Sequence, residues 1–429
     1  MLARKIRILL LGLAAALVGA CSAPCGAPGR LCAPIESVTS APPKPAPAPL
    51  PAKPEEPPPQ PAQTYAVAMP GAAGEENAPP AAVQPKAGQP VRIALLLPLR
   101  SEALGQAADA LRAGFLAAWE RDRDGFAVTV VETGDAAQDV LSSYAASLEQ
   151  QDIVVGPLAR SAVTAVAGSA LVNKPTIALN HPDGRGETAL PEKMLVMGLS
   201  IEEEARQAAR WAAQENPGAT ALILSGNAAW QRRIAGAFAS QWQRQGQPAQ
   251  SQEMSAVNGY LSDPELVALR ARLQTAGPTV LFAALDTDQA RQLRVALSAP
   301  PLGEIPIYGT SSLNPGRSRL LPGPDLDGVR LLDLPWQLQR DHPAVMVYPQ
   351  PIPRDDARLS ADMERLYALG IDAFRVAREI ALRPGARFTL DGVTGQLSVS
   401  FGQGAAYFER TELPAVYRNG IPVPLSTQP

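Results

Sequence analysis

Between Val91 and Leu382 the chain alternates short, almost wholly apolar blocks with longer runs in which apolar residues return every three or four positions. The first block, VRIALLLPL from Val91, has seven apolar residues in nine. That is the composition of a strand buried on both faces of a parallel sheet. Pro98 ends it, and Leu104, Ala107, Ala108, Leu111, Phe115, Leu116 and Trp119 then recur at helical spacing. A buried strand, a sharp turn and an amphipathic helix make the opening unit of a doubly wound sheet. Further strands are predicted at Ala127–Thr133, Asp152–Leu158, Pro175–Asn180 and Met194–Leu199, with helices over Val140–Gln150 and about Ser161–Leu171 between them.

Ser200, with Glu203 three residues on, has the pattern of a capping box, and the helix it starts stops at Asn216-Pro217-Gly218. The alternation then resumes. Strands are predicted at Ala219–Ser225, Thr279–Leu285 and Ile305–Tyr308, and helices at about Ala229–Gln245, Pro264–Gln274 and Thr287–Leu297. Asp327–Leu334, a helix over about Ser360–Leu382, and strand-like Phe388–Phe401 and Ala406–Glu409 close the pattern. The second run repeats the layout of the first without repeating its sequence. Two α/β lobes side by side are the simplest packing, with the long late helix crossing back to make a stiff, multi-strand hinge. The expected boundaries are 91–200 with 333–390 for lobe 1, and 201–332 with 391–429 for lobe 2.

Composition changes this picture only before residue 91. The chain has 44 prolines in 429 residues, many of them between 34 and 90. A stretch such as PPKPAPAPLPAKPEEPPPQPAQ cannot bury enough apolar area to offset the entropy of ordering. It favours extended polyproline II, so Ala33–Pro90 could reach about 180 Å at full extension. Ahead of it, Arg4, Lys5 and Arg7 form a positive n-region, and Ile8–Leu17 an apolar h-region. Leu17-Val18-Gly19-Ala20-Cys21 resembles the bacterial lipobox. Residues 1–20 therefore read as a signal peptide, Cys21 as the acylated anchor, and 21–90 as a disordered tether. Ser22, a non-acidic second residue, implies the outer membrane by the same resemblance. Several acyl chains, at ~0.8 kcal/mol per buried methylene, make a stable anchor. Cys25 and Cys32 are the only other cysteines. Export to an oxidising compartment makes a disulfide between them one reading, and two exposed thiols the other.

The formal net charge of −3 carries no overall basic character that would suggest nucleic acid. Catalytic patterns are missing. There is no His-Glu-x-x-His, no Gly-x-Ser-x-Gly, no Ser-x-x-Lys and no Walker loop. Gly184-x-Gly186-x-x-Ala189 matches a dinucleotide fingerprint in name only, because Pro191 stands where the helix should run. No cofactor or metal is expected. Open sheets bind ligands beyond the carboxyl ends of their strands. Ser101, Gly156, Asn180 and His181 occupy such positions and are the candidate cleft residues. His342, in Asp341-His342-Pro343, reads as a turn residue. Trp211, Trp230 and Trp242 fall in predicted helices, where core packing is the simpler reading. Trp336, just beyond a strand end, is the candidate partner contact, since tryptophan is enriched at binding hot spots.

Two buried-sheet lobes behind an export signal resemble the type I periplasmic-binding fold. VRIALLLPL with Gly114-Phe115, DIVVGPL, PTIALN, IPIYGTS, DLDGVRLLDLPW, RLYALGIDAFRVA and LDGVTGQLSV together resemble the LpoA-type penicillin-binding protein activators, the LppC family. The resemblance covers about residues 91–420. Long members carry an amino-terminal helical-repeat domain, whose place here is taken by the proline tether. The resemblance implies an outer-membrane lipoprotein, not an enzyme, that binds a class A penicillin-binding protein and stimulates its peptidoglycan transpeptidation, with peptidoglycan as a further contact. The alternative is a lipid-anchored receptor for an amino-acid-type solute. A cell-wall hydrolase is a third reading, which the missing catalytic patterns disfavour.

Overall fold

Strand β1 (Val91–Leu97) forms where the apolar block predicts it, with Ile93–Leu97 wholly out of water. The computed structural model describes residues 88–184, 189–275, 279–316, 324–351 and 360–425. After β1 come α1 (Gly105–Arg121), β2 (Phe126–Glu132), α2 (Ala137–Gln150), β3 (Ile153–Val155), α3 (Arg160–Ala167), β4 (Thr176–Ala178) and β5 (Met194–Val196). The five strands form one parallel sheet in the order β2-β1-β3-β4-β5. Val91 faces Phe126 at one end of the β1–β2 ladder and Leu97 faces Glu132 at the other.

The second run follows: α4 (Ile201–Glu215), β6 (Ala221–Ser225), α5 (Ala229–Arg244), β7 (Ala249–Glu253), β8 (Ala256–Val257), β9 (Tyr260–Leu261), α6 (Asp263–Thr275), β10 (Val280–Ala284), α7 (Thr287–Ala296), β11 (Ile307–Gly309) and β12 (Arg330–Asp333). Then come α8 (Pro335–Leu338), α9 (Pro343–Met346), α10 (Ala361–Leu382), β13 (Arg387–Asp391), β14 (Gln396–Ser400), β15 (Tyr407–Thr411), β16 (Leu413–Arg418) and β17 (Ile421–Pro424). The second sheet runs β17-β16-β12-β11-β10-β6-β7. Its five parallel strands repeat the doubly wound order of the first, and β16 and β17 extend it antiparallel. The equivalence of the two runs is thus one of topology.

Each sheet is covered on both faces. In lobe 1, α2 and α3 cover one face around Val140, Tyr144, Val154 and Val163. α1 and α10 cover the other, around Leu95, Phe115, Phe374 and Ile371. α1 and α10 touch through their backbones. A Cβ on Gly114 would overlap the Tyr367 carbonyl, and one on Gly370 the Leu111 carbonyl. The three-stranded sheet β13–β15 packs Phe388, Leu397 and Val399 into this same core. The return to lobe 2 therefore falls at Glu412 rather than at residue 391. Glycine-bounded antiparallel strands carry no pattern that tells which lobe they join; the apolar face they turn towards α10 decides it.

The lobes are joined three times: by residues 197–200 between β5 and α4, by Leu334 after β12, and by Glu412 between β15 and β16. Two tight hairpins were not predicted. β8–β9 turns through Asn258 (φ 53°) and Gly259 (φ 84°), and β16–β17 through Asn419 (φ 53°) and Gly420 (φ 75°). Two consecutive left-handed residues are the backbone of a type I′ turn, for which Asn-Gly is the favoured sequence.

Candidate functional site

The crevice where a doubly wound sheet takes a ligand lies between its first and third strands, where the strand order reverses. In lobe 1 this brings Ser101, after β1, and Gly156, after β3, to one sheet edge, with Asn180 and His181 after β4 beside them. Each is engaged locally. Ser101 is buried, and its Oγ accepts the Leu104 N–H at 3.0 Å, steering the chain into α1. Gly156 has φ 121°, and a Cβ there would overlap the Leu96 carbonyl, so the crossing of β1 and β3 needs glycine. Asn180 Oδ1 accepts the His181 N–H at 2.9 Å. The His181 imidazole is half-buried, and burial, followed by the nearby Arg160 charge, holds it below its ordinary pKa.

None of these four lines the larger cavity, about 880 Å³, which opens on the facing edge of lobe 2 and on the first turn of α10. Trp230, Asp286, Asp288, Arg291, Asn314 and Arg365 are among its walls. The charged groups among them are already paired or hydrogen-bonded. Asp286 caps α7 by accepting the Gln289 N–H at 2.9 Å. Arg291 meets Asp288 at 2.8 Å. Ser360 caps α10 through the Met363 N–H at 3.3 Å.

Arg365 sits at the inner end of this cavity and belongs to the hinge. Its Nε and Nη2 donate to the two oxygens of Asp333 at 3.1 and 2.8 Å, and its Nη1 to Asp362 at 2.9 Å. Nη2 also reaches the Ser311 and Asn314 carbonyls, both at 3.0 Å. Asp333 takes two further donors, Asn314 Nδ2 and the Leu334 N–H, each at 2.8 Å. Glu204, one turn into α4, accepts the Ser311 N–H at 2.9 Å. Two turns further along α10, Asp372 accepts the Val393 and Thr394 N–H groups at 3.2 and 2.8 Å and the Thr394 hydroxyl at 2.7 Å. Arg410 donates to that same hydroxyl at 3.0 Å, and to the Gly198 and Met197 carbonyls, both at 3.1 Å. Gln207 ties the third crossing to α4. It donates to the Arg410 carbonyl at 2.7 Å and accepts the Glu412 N–H at 3.1 Å.

All three crossings are therefore held by buried charges that sequence reasoning did not select. A signal existed for three of them. Asp333 breaks the apolar LLDLPW, and Arg365 and Asp372 interrupt the apolar RLYALGIDAF one heptad apart, which puts them along one side of a helix. Arg410 and Glu412, in the polar ERTE, carried none.

Trp336 is corrected by the structure. It is 1% exposed, stacks at a tilt on Tyr367 with ring centroids 5.3 Å apart, and its backbone N–H donates to the Val393 carbonyl at 3.0 Å. Pro335 at the first position of α8 turns the indole inward, where it joins the lobe 1 core and cannot meet a partner directly. Cys21, Cys25 and Cys32 lie outside the described residues. Among the described residues no group of His, Cys, Asp and Glu is placed to hold a metal ion, and no helix is long and apolar enough to cross a membrane.

A family model described as "LppC putative lipoprotein" matches residues 82–410. The penicillin-binding protein activator LpoA of Aliivibrio fischeri is 25% identical over 343 residues, which are 73% of this chain and 54% of that protein. The protein of the same name from Vibrio vulnificus is 26% identical, over 72% of this chain and 55% of its own. The chain thus spans about half the length of the curated relatives it matches. Among solved structures, a Chromobacterium violaceum protein assigned provisionally to branched-chain amino acid ABC transport is 38% identical, with a TM-score of 0.62. The match covers 76% of this chain and 100% of that one. The C-domain of LpoA from Haemophilus influenzae, described as a regulator of PBP1A, shares the fold at 22% identity and a TM-score of 0.60, over 78% of this chain and 99% of its own.

Proposed function

The chain belongs to the LppC lipoprotein family, and from that premise we propose that its two-lobed body binds a class A penicillin-binding protein and stimulates peptidoglycan transpeptidation without catalysing a reaction itself. The relatives named as activators supply the class of partner. What supports the reading within this chain is the state of the cleft. Arg365, the cation at its inner end, already meets two aspartates and two carbonyls, and Arg291 and Asp286 are likewise engaged. A receptor for a small zwitterion needs charged groups left open for the ligand, because a buried charge binds only what pairs with it. A body whose buried cleft cation, Arg365, is consumed internally works instead through its surface, by favouring one conformation of what it touches.

The proposal includes the envelope geometry. Cys21 carries the lipid at the outer membrane, and the segment up to Pro90 spaces the body towards the synthase and the peptidoglycan. Mass spectrometry of the mature amino terminus and membrane fractionation test the anchor. An unmodified Cys21 or an inner-membrane location removes this part. Cys25 and Cys32 form a disulfide in this reading, checked by thiol labelling before and after reduction.

The central test adds the purified full chain to a class A synthase from the same cell and measures peptide crosslinks. A several-fold rise is expected, and no rise together with no binding overturns the proposal. The 38% identical relative assigned to branched-chain amino acid transport favours one second reading, a solute receptor. Equilibrium dialysis and thermal shift with leucine, isoleucine and valine decide it. Saturable stabilisation would favour the receptor.

A further inference from the structure

Six buried charged side chains meet where the chain passes between the lobes: Glu204 on α4, Asp333 on β12, Arg365 and Asp372 on α10, Arg410 on β15, and Glu412 at the third crossing. Four carboxylates face two guanidiniums. Even with the half-buried Arg375 paired to Asp372 at 3.1 Å, the acids exceed the bases by one. A dry interior does not hold unbalanced charge, so a proton stays where donors are fewest. Asp333 and Asp372 each accept from several donors. Among the described residues Glu204 accepts from Ser311 alone, through its N–H and its side chain. The Glu412 carboxyl is the poorest in donors, since its Oε2 is buried and has no hydrogen-bond partner among the described residues.

We infer that this cluster is a proton-operated hinge, in which Glu204 and Glu412 share a proton while the lobes are locked and lose it when they reorient. The charges that face Glu412 are Glu204, Arg410, Asp333 and Arg365, one from each of the four elements packed around it. Those facing Glu204 include Asp333 and Arg365. Burial, and only then the neighbouring acids, pushes Glu204 up to about 7 from 4.5 and raises Glu412 well above its ordinary range. The two titrate as a pair. Both shifts are upward for an acid. The locking contribution is therefore fully present below about 4.5 and is lost as the pH rises through about 7 and beyond.

The placement gives the proton leverage. Glu204 follows the first crossing, Asp333 precedes the second and Glu412 is the third. Ionising the pair sets two anions against each other across α4 and the β15–β16 junction, with Arg365 and Arg410 already engaged by other acceptors. Relief comes from letting water into the hinge, which frees the lobes to move. The inference concerns the body alone and stands whether or not the body activates a synthase.

The experiment measures the inter-lobe distance of the full chain by double electron–electron resonance from pH 5 to pH 9. Spin labels sit at the exposed positions of Gln106 on α1 and Arg270 on α6, attached through an encoded azido side chain so that the native cysteines stay. A narrow distribution at pH 5 that broadens or shifts above about pH 7 is expected, with a Tm lower at the alkaline end by roughly 3–5 °C. Glu412→Gln, which cannot ionise, should keep the acid distribution throughout, and Glu204→Gln serves as the second variant if the first does not fold. A wild-type distribution that does not change with pH overturns the proposal, and so does a Gln variant that follows the wild-type profile.

Discussion

In the hinge, Arg365 meets Asp333 at 2.8 Å with both side chains out of water; at the rim of the cleft Arg291 meets Asp288 at the same 2.8 Å, but that aspartate is 72% exposed. The two arginines line one cavity, and the geometry of each pair is good. Their surroundings make them different interactions. An exposed pair exchanges well-hydrated ions for a contact that salt screens. A buried pair cannot return to water without opening the structure, so losing one partner strands the other. The contrast shows where this chain concentrates its polar chemistry: on keeping two lobes in register, with the cleft rim left as ordinary protein surface.

Substitutions can break or sharpen that contrast. Arg365→Met should have the largest effect. It leaves Asp333 buried without its cation and should cost about 3–5 kcal/mol in urea unfolding; a loss below about 1 kcal/mol would erase the distinction from the rim. Gly370→Ala comes next. Its methyl has no space against the Leu111 carbonyl, so α1 and α10 must separate, costing about 2–3 kcal/mol. A T-jump or urea series that found it neutral would mean the helices slide freely. Ser200→Ala removes the α4 cap, whose Oγ accepts the Glu203 N–H at 3.2 Å, and should cost about 1 kcal/mol. Arg291→Ala should change stability by less than about 0.5 kcal/mol. A larger loss would place the rim in the same class as the hinge.

The stretches that carry the family resemblance explain how much could be seen beforehand. The alternation of apolar blocks and helical runs along the whole body marks β1, α1, β6, α5, β10 and α10 to within a few residues, because each is buried on a face with a fixed period. β7 was invisible. AQSQE is polar after Ala249, since an outermost strand is covered by little and obeys no apolar pattern. β16 and β17 were missed although RNGI announces a hairpin, because LPAVYR before it, with Pro414 near its start, reads equally as a loop. At the site the limit was different in kind. DLDGVRLLDLPW, RLYALGIDAF and LDGVTG are far apart in sequence, and they meet through Asp333–Arg365, Trp336 on Tyr367, Asp372 with Val393 and Thr394, and the Trp336 backbone N–H on Val393. Their shared role is a property of the crossing pattern, which no local window contains. Trp336 shows the reverse error. Its position after a strand suggested an anchor for a partner, and Pro335 instead folds it into the lobe 1 core.

The order in which the chain visits its lobes governs when either can be finished. Lobe 1 lacks one face until α10 and β13–β15 arrive, and lobe 2 lacks a flank until β16 pairs with β12. A nascent chain that has reached Asp333 therefore owns the parallel strands of two sheets and neither lobe complete. Neither lobe can close before these late elements arrive, which ties the completion of one to that of the other.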